Sequence, residues 1–107
     1  MALLNKHNFK TLQKKTSIVE CKDYDTEIKI EALSLQDQLE IDDLIKTDMN
    51  SYIKEMVARC VIDEDGVRVF SVDDVESLPA DLTVLVFQAC CKLNKLGTYD
   101  VTDAAKN

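Results

Sequence analysis

Carboxylates crowd the middle of the chain, in the stretch CVIDEDGVRVFSVDDVESLP at 60–79. Acids beside a glycine could form a calcium-binding loop, and paired carboxylates could act as a general acid and base. The acids considered for these two roles are Asp63, Glu64, Asp65, Asp73 and Asp74.

A calcium loop of the EF-hand type is excluded by its own spacing. Such a loop needs acids at its first, third and fifth positions, glycine at the sixth and glutamate at the twelfth. With Gly66 at the sixth position, Asp63 and Asp65 fall correctly, but Val61 and Val72 occupy the first and twelfth. Valine cannot ligate calcium, so the loop predicts no metal.

Catalysis by these carboxylates is also disfavoured, because their neighbours are valines and a phenylalanine rather than polar partners. Asp65-Gly66 is instead a strong turn signal, since glycine accepts a positive φ without steric cost. The chain has no glycine-rich phosphate loop and no nucleophile motif, and its one histidine, His7, precedes the patterned region. The sequence therefore predicts a protein that is not an enzyme.

The cysteines show neither a CxxC motif nor paired spacing, which a zinc site or a redox pair would need. In a chain without an export signal they are expected to be reduced, mostly buried small hydrophobic residues. We therefore expect no metal and no cofactor. The four are Cys21, Cys60, Cys90 and Cys91.

Charge is distributed unevenly along this chain of 107 residues, whose formal net charge is −7. Residues 1–22 hold five lysines and one acid, whereas residues 23–107 hold eight cations and nineteen acids. An acidic body repels phosphate, so we expect no nucleic-acid partner. No apolar run is long enough to span a bilayer, so we expect no membrane partner either.

Two extended segments precede the helices. The stretch TEIKIEAL alternates, with Ile28 and Ile30 on one side and charged residues on the other, as in a half-buried strand. It follows SIVEC across an aspartate-rich link, which predicts a β-hairpin. VRVF at 67–70 predicts a further short extended segment, pairing with 60–62 or with the hairpin.

Capping signals place the helices. Ser34 and Ser71 each precede an acid by three residues, which favours helix starts there, while Thr47 and Asp48 can cap a second helix or lie in a bend. Helical spacing then predicts an amphipathic helix whose core face carries Met49, Tyr52, Ile53, Met56, Val57 and Cys60. Pro79 suits the start of another helix.

The closing helix, at about 80–96, has apolar residues on two sides. One face is expected to be the core, with Gly97 as the C-cap. A nearly opposite face carries Val84, Phe87 and Cys91, which become the candidate partner-binding residues because so small a domain covers both faces with difficulty. The expected core face consists of Leu82, Leu85, Val86, Ala89, Cys90, Leu93 and Leu96.

The chain is thus predicted to be α+β, mainly α, with an N-terminal hairpin, about four helices and an extended segment near Val67–Phe70. Residues 1–16 are expected to form a flexible basic arm, 17–97 a single globular domain, and 98–107 a polar tail.

The order of these signals resembles the tail assembly chaperones of long-tailed bacteriophages, in particular the lambda-like group. The resemblance covers about residues 8–97. Its most specific part is 62–78, where an acidic turn with glycine, the strand VRVF and the helix start SVDD follow each other closely.

The resemblance implies a non-catalytic protein of the host cell cytoplasm that is absent from the mature virion. Such chaperones bind the tape measure protein, keep its long hydrophobic helices in solution and recruit tail tube subunits. Whether the chain forms a homo-oligomer stays open. The family often makes a longer product by ribosomal frameshifting, and the residues Ala105-Lys106-Asn107 can be encoded by a slippery run of adenines. The alternative function is a small acidic protein-binding adaptor or inhibitor that mimics nucleic acid.

Overall fold

The computed structural model describes residues 3–95. The chain is mixed α+β and mainly α, with a three-stranded antiparallel sheet near the N-terminus followed by the helices. This confirms the predicted fold class. The expected C-cap at Gly97 and the polar tail lie outside the described residues, and the flexibility of the arm at 1–16 stays a prediction.

The sheet is built from a hairpin and one short added strand. Strand β1 is Thr16–Cys21, β2 is Thr26–Glu31 and β3 is Val61–Ile62, in the order β1-β2-β3. The register pairs Val19 with Ile28 in the hairpin and Ile30 with Val61 across the second ladder. The alternation of the sequence is confirmed, since Ile28 and Ile30 are both buried.

The helices are α1 (Leu35–Asp42), α2 (Leu44–Thr47), α3 (Met49–Cys60), α4 (Val72–Glu76) and α5 (Ala80–Leu93). Three of them begin at the capping residues that the sequence indicated. The Ser34 hydroxyl accepts from the Asp37 amide, and the Asp48 carboxylate accepts from the Ser51 amide. Ser71 and Asp74 form a reciprocal capping box, so two free amides of α4 are satisfied at once.

Helix α3 lies at the centre of the fold and contacts α1, α2, α4, α5 and β3. Its buried residues meet the inner face of the sheet and the inner face of α5 in one apolar core. That core includes Val19, Cys21, Ile28, Ile30, Ile41, Tyr52, Met56, Val57, Ala58, Cys60, Val61, Val75, Leu82, Val86 and Cys90.

The acidic stretch after β3 forms the predicted turn. Gly66 has a φ of 82°, and its amide donates to the Asp63 carbonyl. The Asp63 carboxylate accepts from the amides of Asp65 and Val67, so it is an acceptor for the turn itself. The chain then returns beside β3, where Ile62 and Arg68 form an isolated bridge. The extended segment therefore pairs with the chain just before the turn.

Asn94, directly after α5, joins three parts of the chain. Its side-chain oxygen accepts from the Leu33 amide at 2.7 Å, ahead of α1. Its amide nitrogen donates to the Cys90 carbonyl at 2.8 Å and lies 3.8 Å from the Cys60 sulfur. One half-buried side chain thus fixes the end of α5 to the β2–α1 connection and to the end of α3.

Two residues assigned to core faces from helical spacing are on the surface instead. Met49, at the first turn of α3, is 47% exposed, and Leu85 of α5 is 42% exposed. The buried line of α5 runs through Leu82, Val86 and Cys90, and Leu85 stands about 100° around the helix from Val86. Within residues 3–95, no helix combines the length and apolar character that crossing a bilayer requires.

Candidate interaction surface

The three candidate partner-binding residues share one side of α5, but they differ in exposure. Val84 is 50% exposed, whereas Phe87 and Cys91 are half-buried against the core or beside it. The Phe87 ring meets the Tyr52 ring of α3 edge to face, with centroids 5.9 Å apart and planes at 82°. Phe87 therefore holds α5 against α3, and Val84 is the most exposed member of the set.

Val84 borders a concavity that we call the three-helix groove. It has a volume of 390 Å³ and lies where α3, α4 and α5 meet. Its apolar lining comes from all three helices, through Ile53 of α3, Val75 of α4 and Val84 of α5. Leu78 adds to it from the link between α4 and α5. The complete lining is Asn50, Ile53, Lys54, Val75, Glu76, Leu78, Ala80, Thr83 and Val84.

Two residues of opposite charge, Lys54 and Glu76, stand among the lining of the groove. Lys54 and Glu76 form an ion pair of 2.9 Å across the gap between α3 and α4. The hydrogen bond to Glu76 raises the pKa of Lys54, and the charges of Asp48 and Asp73 raise it further. Lys54 and Glu76 compensate each other, so the described residues that line the groove carry no net charge.

The other side of α5 faces the hairpin turn. The Tyr24 hydroxyl donates to the Asp81 carboxylate at 2.6 Å, and this hydrogen bond lowers the pKa of Asp81. Leu85 lies here, beside Tyr24 and Leu82 and outside the three-helix groove. Val84 and Leu85 are therefore neighbours in sequence with similar exposure and different surroundings.

A second exposed apolar pair stands on α1. Leu35 is 73% exposed and Leu39 is 59% exposed, one helical turn apart on the outward side. The buried residue of this helix, Ile41, lies on the opposite side. Neither leucine lines the three-helix groove. The pair forms a ridge on one helix, so it encloses a partner less than the three-helix groove does.

An ionic network that sequence reasoning missed joins α1 to α3. The Arg59 guanidinium contacts Asp37 at 3.0 Å, Glu40 at 2.6 Å and Glu55 at 3.1 Å. Arg68, from the segment after the acidic turn, adds a second contact to Asp37 at 2.9 Å. The spacing of Glu55 and Arg59 by four residues was the available signal, but it indicates only the pair within α3.

Burial alone would raise the pKa of Asp37, but hydrogen bonds from Ser34 and Arg68 and the Arg59 charge outweigh it, so the pKa falls. Asp37 is therefore ionised and fully engaged at neutral pH. Carboxylates committed to ion pairs and caps in this way are not arrayed for a basic partner, which weighs against the nucleic-acid mimic.

Burial raises the pKa of Cys21, and the hydrogen bond with Cys90 lowers the pKa of Cys60, whose side chain is completely buried. Cys21, Cys60 and Cys90 are buried, as the sequence predicted, and Cys91 is half-buried. Burial raises the pKa of Cys91 to about 11, and the adjacent Cys60 sulfur together with burial raises the pKa of Cys90. Both thiols are protonated at neutral pH, whereas the thiolate is the reactive form. Among residues 3–95 no three His, Cys, Asp or Glu side chains are grouped to hold a metal ion.

Comparison of the chain with family models, with characterised proteins and with solved structures found no match in any of the three.

Proposed function

We propose that this protein is a non-catalytic bacteriophage tail assembly chaperone, which binds the tape measure protein and recruits tail tube subunits during tail assembly. It would act in the host cell cytoplasm and be absent from the mature virion. The resemblance of the sequence at 62–78 supports the proposal. The observation that carries it is Val84, a half-exposed apolar residue of α5 at the edge of the three-helix groove.

Capture of the client would begin at this groove. An apolar side chain of a tape measure helix would cover Val84 and insert between it, Ile53 and Leu78. Complete burial of a large apolar side chain contributes on the order of 1.5–3 kcal/mol before the costs of ordering are subtracted. Val84 is already half-covered, so its own share is about 1 kcal/mol.

Contacts of this size give weak binding at one groove, which suits a chaperone whose client must be released. Several copies along one long client would raise the overall strength through avidity, without any further contact within each copy. The formal charge of −7 on each copy would keep a loaded client in solution, because like-charged complexes repel each other.

The test is co-expression with the tape measure protein of the same phage, followed by separation of soluble and sedimenting client. The unchanged chaperone should keep the client in the soluble fraction. Val84→Asp should lose most of this effect, because a carboxylate would have to be desolvated within an apolar contact. Leu85→Asp is the matched control, as it places the same charge on the next residue of α5, outside the groove.

A folded Val84→Asp variant that retains full solubilisation, or a client that sediments equally with and without the chaperone, would contradict the proposal. Circular dichroism of each variant establishes that it is folded. Loss of solubilisation by Leu85→Asp to the same degree would show that added charge, rather than the groove, is responsible.

A further inference from the structure

We infer that the free edge of β1 pairs with the same edge of a second copy, which joins two three-stranded sheets into one antiparallel sheet. This inference concerns self-association, so it goes beyond the proposed function and does not depend on it. No residue of β1 or β2 lines the three-helix groove, so the two surfaces are separate.

Strand β1 has one row of backbone groups with no strand beside it. Among the described residues the sheet has the order β1-β2-β3, so β1 has a neighbour on one side only. The Ala32 amide donates to the Lys15 carbonyl, which shows that the backbone groups of Lys15 point toward the side of β2. Because this direction alternates along a strand, Thr16, Ile18 and Glu20 point their backbone groups away from β2. These are the donors and acceptors that an added strand requires.

The outer face of the same strand carries an exposed apolar side chain. Ile18 is 56% exposed and lies between Thr16 and Glu20, which are also exposed. Val19 and Cys21 face the core, so Ile18 is on the opposite face of the sheet. A two-fold axis perpendicular to the sheet relates two antiparallel copies of one strand and keeps both outer faces on the same side. The outer side chains of the two copies would therefore cover each other.

Charge selects one register for this pairing. Residues that point outward pair only with residues that point outward, so the partner of each residue changes in steps of two. The register centred on Ser17 places Lys14 opposite Glu20 of the second copy, and the two-fold symmetry repeats this pair at the other end. It also places Thr16 opposite Ile18, so the two isoleucines become diagonal neighbours on the outer face.

The registers on either side of this one lack the charge pairs. Centring on Ile18 would place Lys14 opposite Lys22 at both ends, and like charges opposite each other destabilise a sheet. Centring on Thr16 would leave Glu20 without a cation opposite it. The strand thus has a register in which its own opposite charges meet, and this complementarity makes a second copy the occupant of the edge.

Lys14 is already held on the outer face. Its ammonium group lies 3.2 Å from the Glu31 carboxylate of β2, and its side chain is 45% exposed. An ammonium group has three N–H donors, so Lys14 can contact Glu20 of the second copy while it keeps the ion pair with Glu31.

Sedimentation equilibrium of the full chain, without any client, measures the association at about 0.15 M NaCl, where the screening length is about 8 Å. A contact through one strand is small, so we expect a dimer with a Kd on the order of 10–100 μM. Amide hydrogen exchange by NMR locates the contact. At about ten times the Kd, the amides of Ile18 and Glu20 should exchange about threefold more slowly than in the dilute protein, whereas that of Gln36, in the first turn of α1, should not change.

Two sets of variants test the edge and the register. Ile18→Lys should raise the Kd at least about tenfold, whereas Leu39→Lys, at a residue of similar exposure (59%) on α1, should leave it unchanged. Glu20→Lys should raise the Kd about tenfold, because it places lysines opposite each other at both ends, and adding Lys14→Glu should restore it to within about threefold. Circular dichroism establishes that each variant is folded.

A chain that stays monomeric up to about 1 mM would overturn this inference, as would equal weakening by Ile18→Lys and Leu39→Lys. Failure of the double variant to restore association would overturn the pairing of Lys14 with Glu20 and the register built on it. None of these results affects capture of a client at the three-helix groove, which the co-expression test measures through Val84→Asp.

Discussion

The contrast between Phe87 and Val84 gives the sharpest prediction about this fold. The two residues lie on the same side of α5, three positions apart, and the sequence suggested the same role for both. Phe87 contacts the Tyr52 ring edge to face, while Val84 is 50% exposed. Phe87→Ala should therefore lower the free energy of unfolding clearly, whereas Val84→Ala should barely change it.

The magnitude follows from burial. Phe→Ala in a complete core costs about 3–5 kcal/mol, and Phe87 is half-buried, so we expect a loss of about 2 kcal/mol. The aromatic pair with Tyr52 supplies about 0.5–1.5 kcal/mol of this loss. Val84→Ala should stay within about 0.5 kcal/mol, because it lies on the surface and alanine favours the helix slightly.

Urea unfolding followed by circular dichroism measures both free energies, and Tyr52→Phe serves as a control that keeps the ring. A thermal scan should show a melting temperature about 10 °C lower for Phe87→Ala. Equal stability of Phe87→Ala and Val84→Ala would refute the reasoning, because it would mean that Phe87 does not hold α5 against α3. Phe87 would then return to the partner surface.

Three further predictions concern stability. Asn94→Ala should lower the free energy of unfolding by about 1–3 kcal/mol in urea titration, because the Leu33 amide loses its acceptor; an unchanged midpoint would contradict this role. Gly66→Ala should cost about 1 kcal/mol in the same assay, through its φ of 82° rather than a clash, since nothing lies within 4 Å of the added carbon; Gly66→Asn, which tolerates this φ better, is the control. The pKa of Asp37 is lower in the folded protein than its ordinary value of 3.8. Its ionised carboxylate therefore stabilises the fold at pH values above 3.8, and this stabilisation is lost as the pH falls through the folded pKa. The stability difference between the unchanged chain and Asp37→Asn should therefore shrink as pH falls below about 4, and a constant difference would rule out this linkage.

Local signals predicted much of the fold because their causes are local. The alternation at Ile28 and Ile30 determines which side of a strand is buried, and the capping residues at Ser34 and Ser71 act on amides three residues away. The turn at Gly66 likewise needs only its own backbone and the Asp63 side chain. These features depend on neighbours in the chain, so a single sequence contains them.

The surface assignments were less predictable. Helical spacing gives the direction of a side chain around the helix axis, but it does not show which other element packs against that side chain. Leu85 was expected in the core and is exposed, while Phe87 was assigned to the partner face and packs on Tyr52. Phe87 is covered because α3 packs on that side of α5, whereas Leu85 lies on the side that faces the hairpin turn. The links from Asn94 to Leu33 and from Arg59 to α1 join residues far apart in sequence, and their polar side chains gave no periodic signal.

Methyl NMR of the chain labelled at isoleucine, leucine and valine, recorded with and without the tape measure protein, tests the central claim most directly. We predict that the methyl signals of Ile53, Leu78 and Val84 shift or broaden on addition of the client, whereas those of Leu35 and Leu39 on α1 stay in place. Changes confined to the α1 leucines, or none at any of the five residues, would contradict the account.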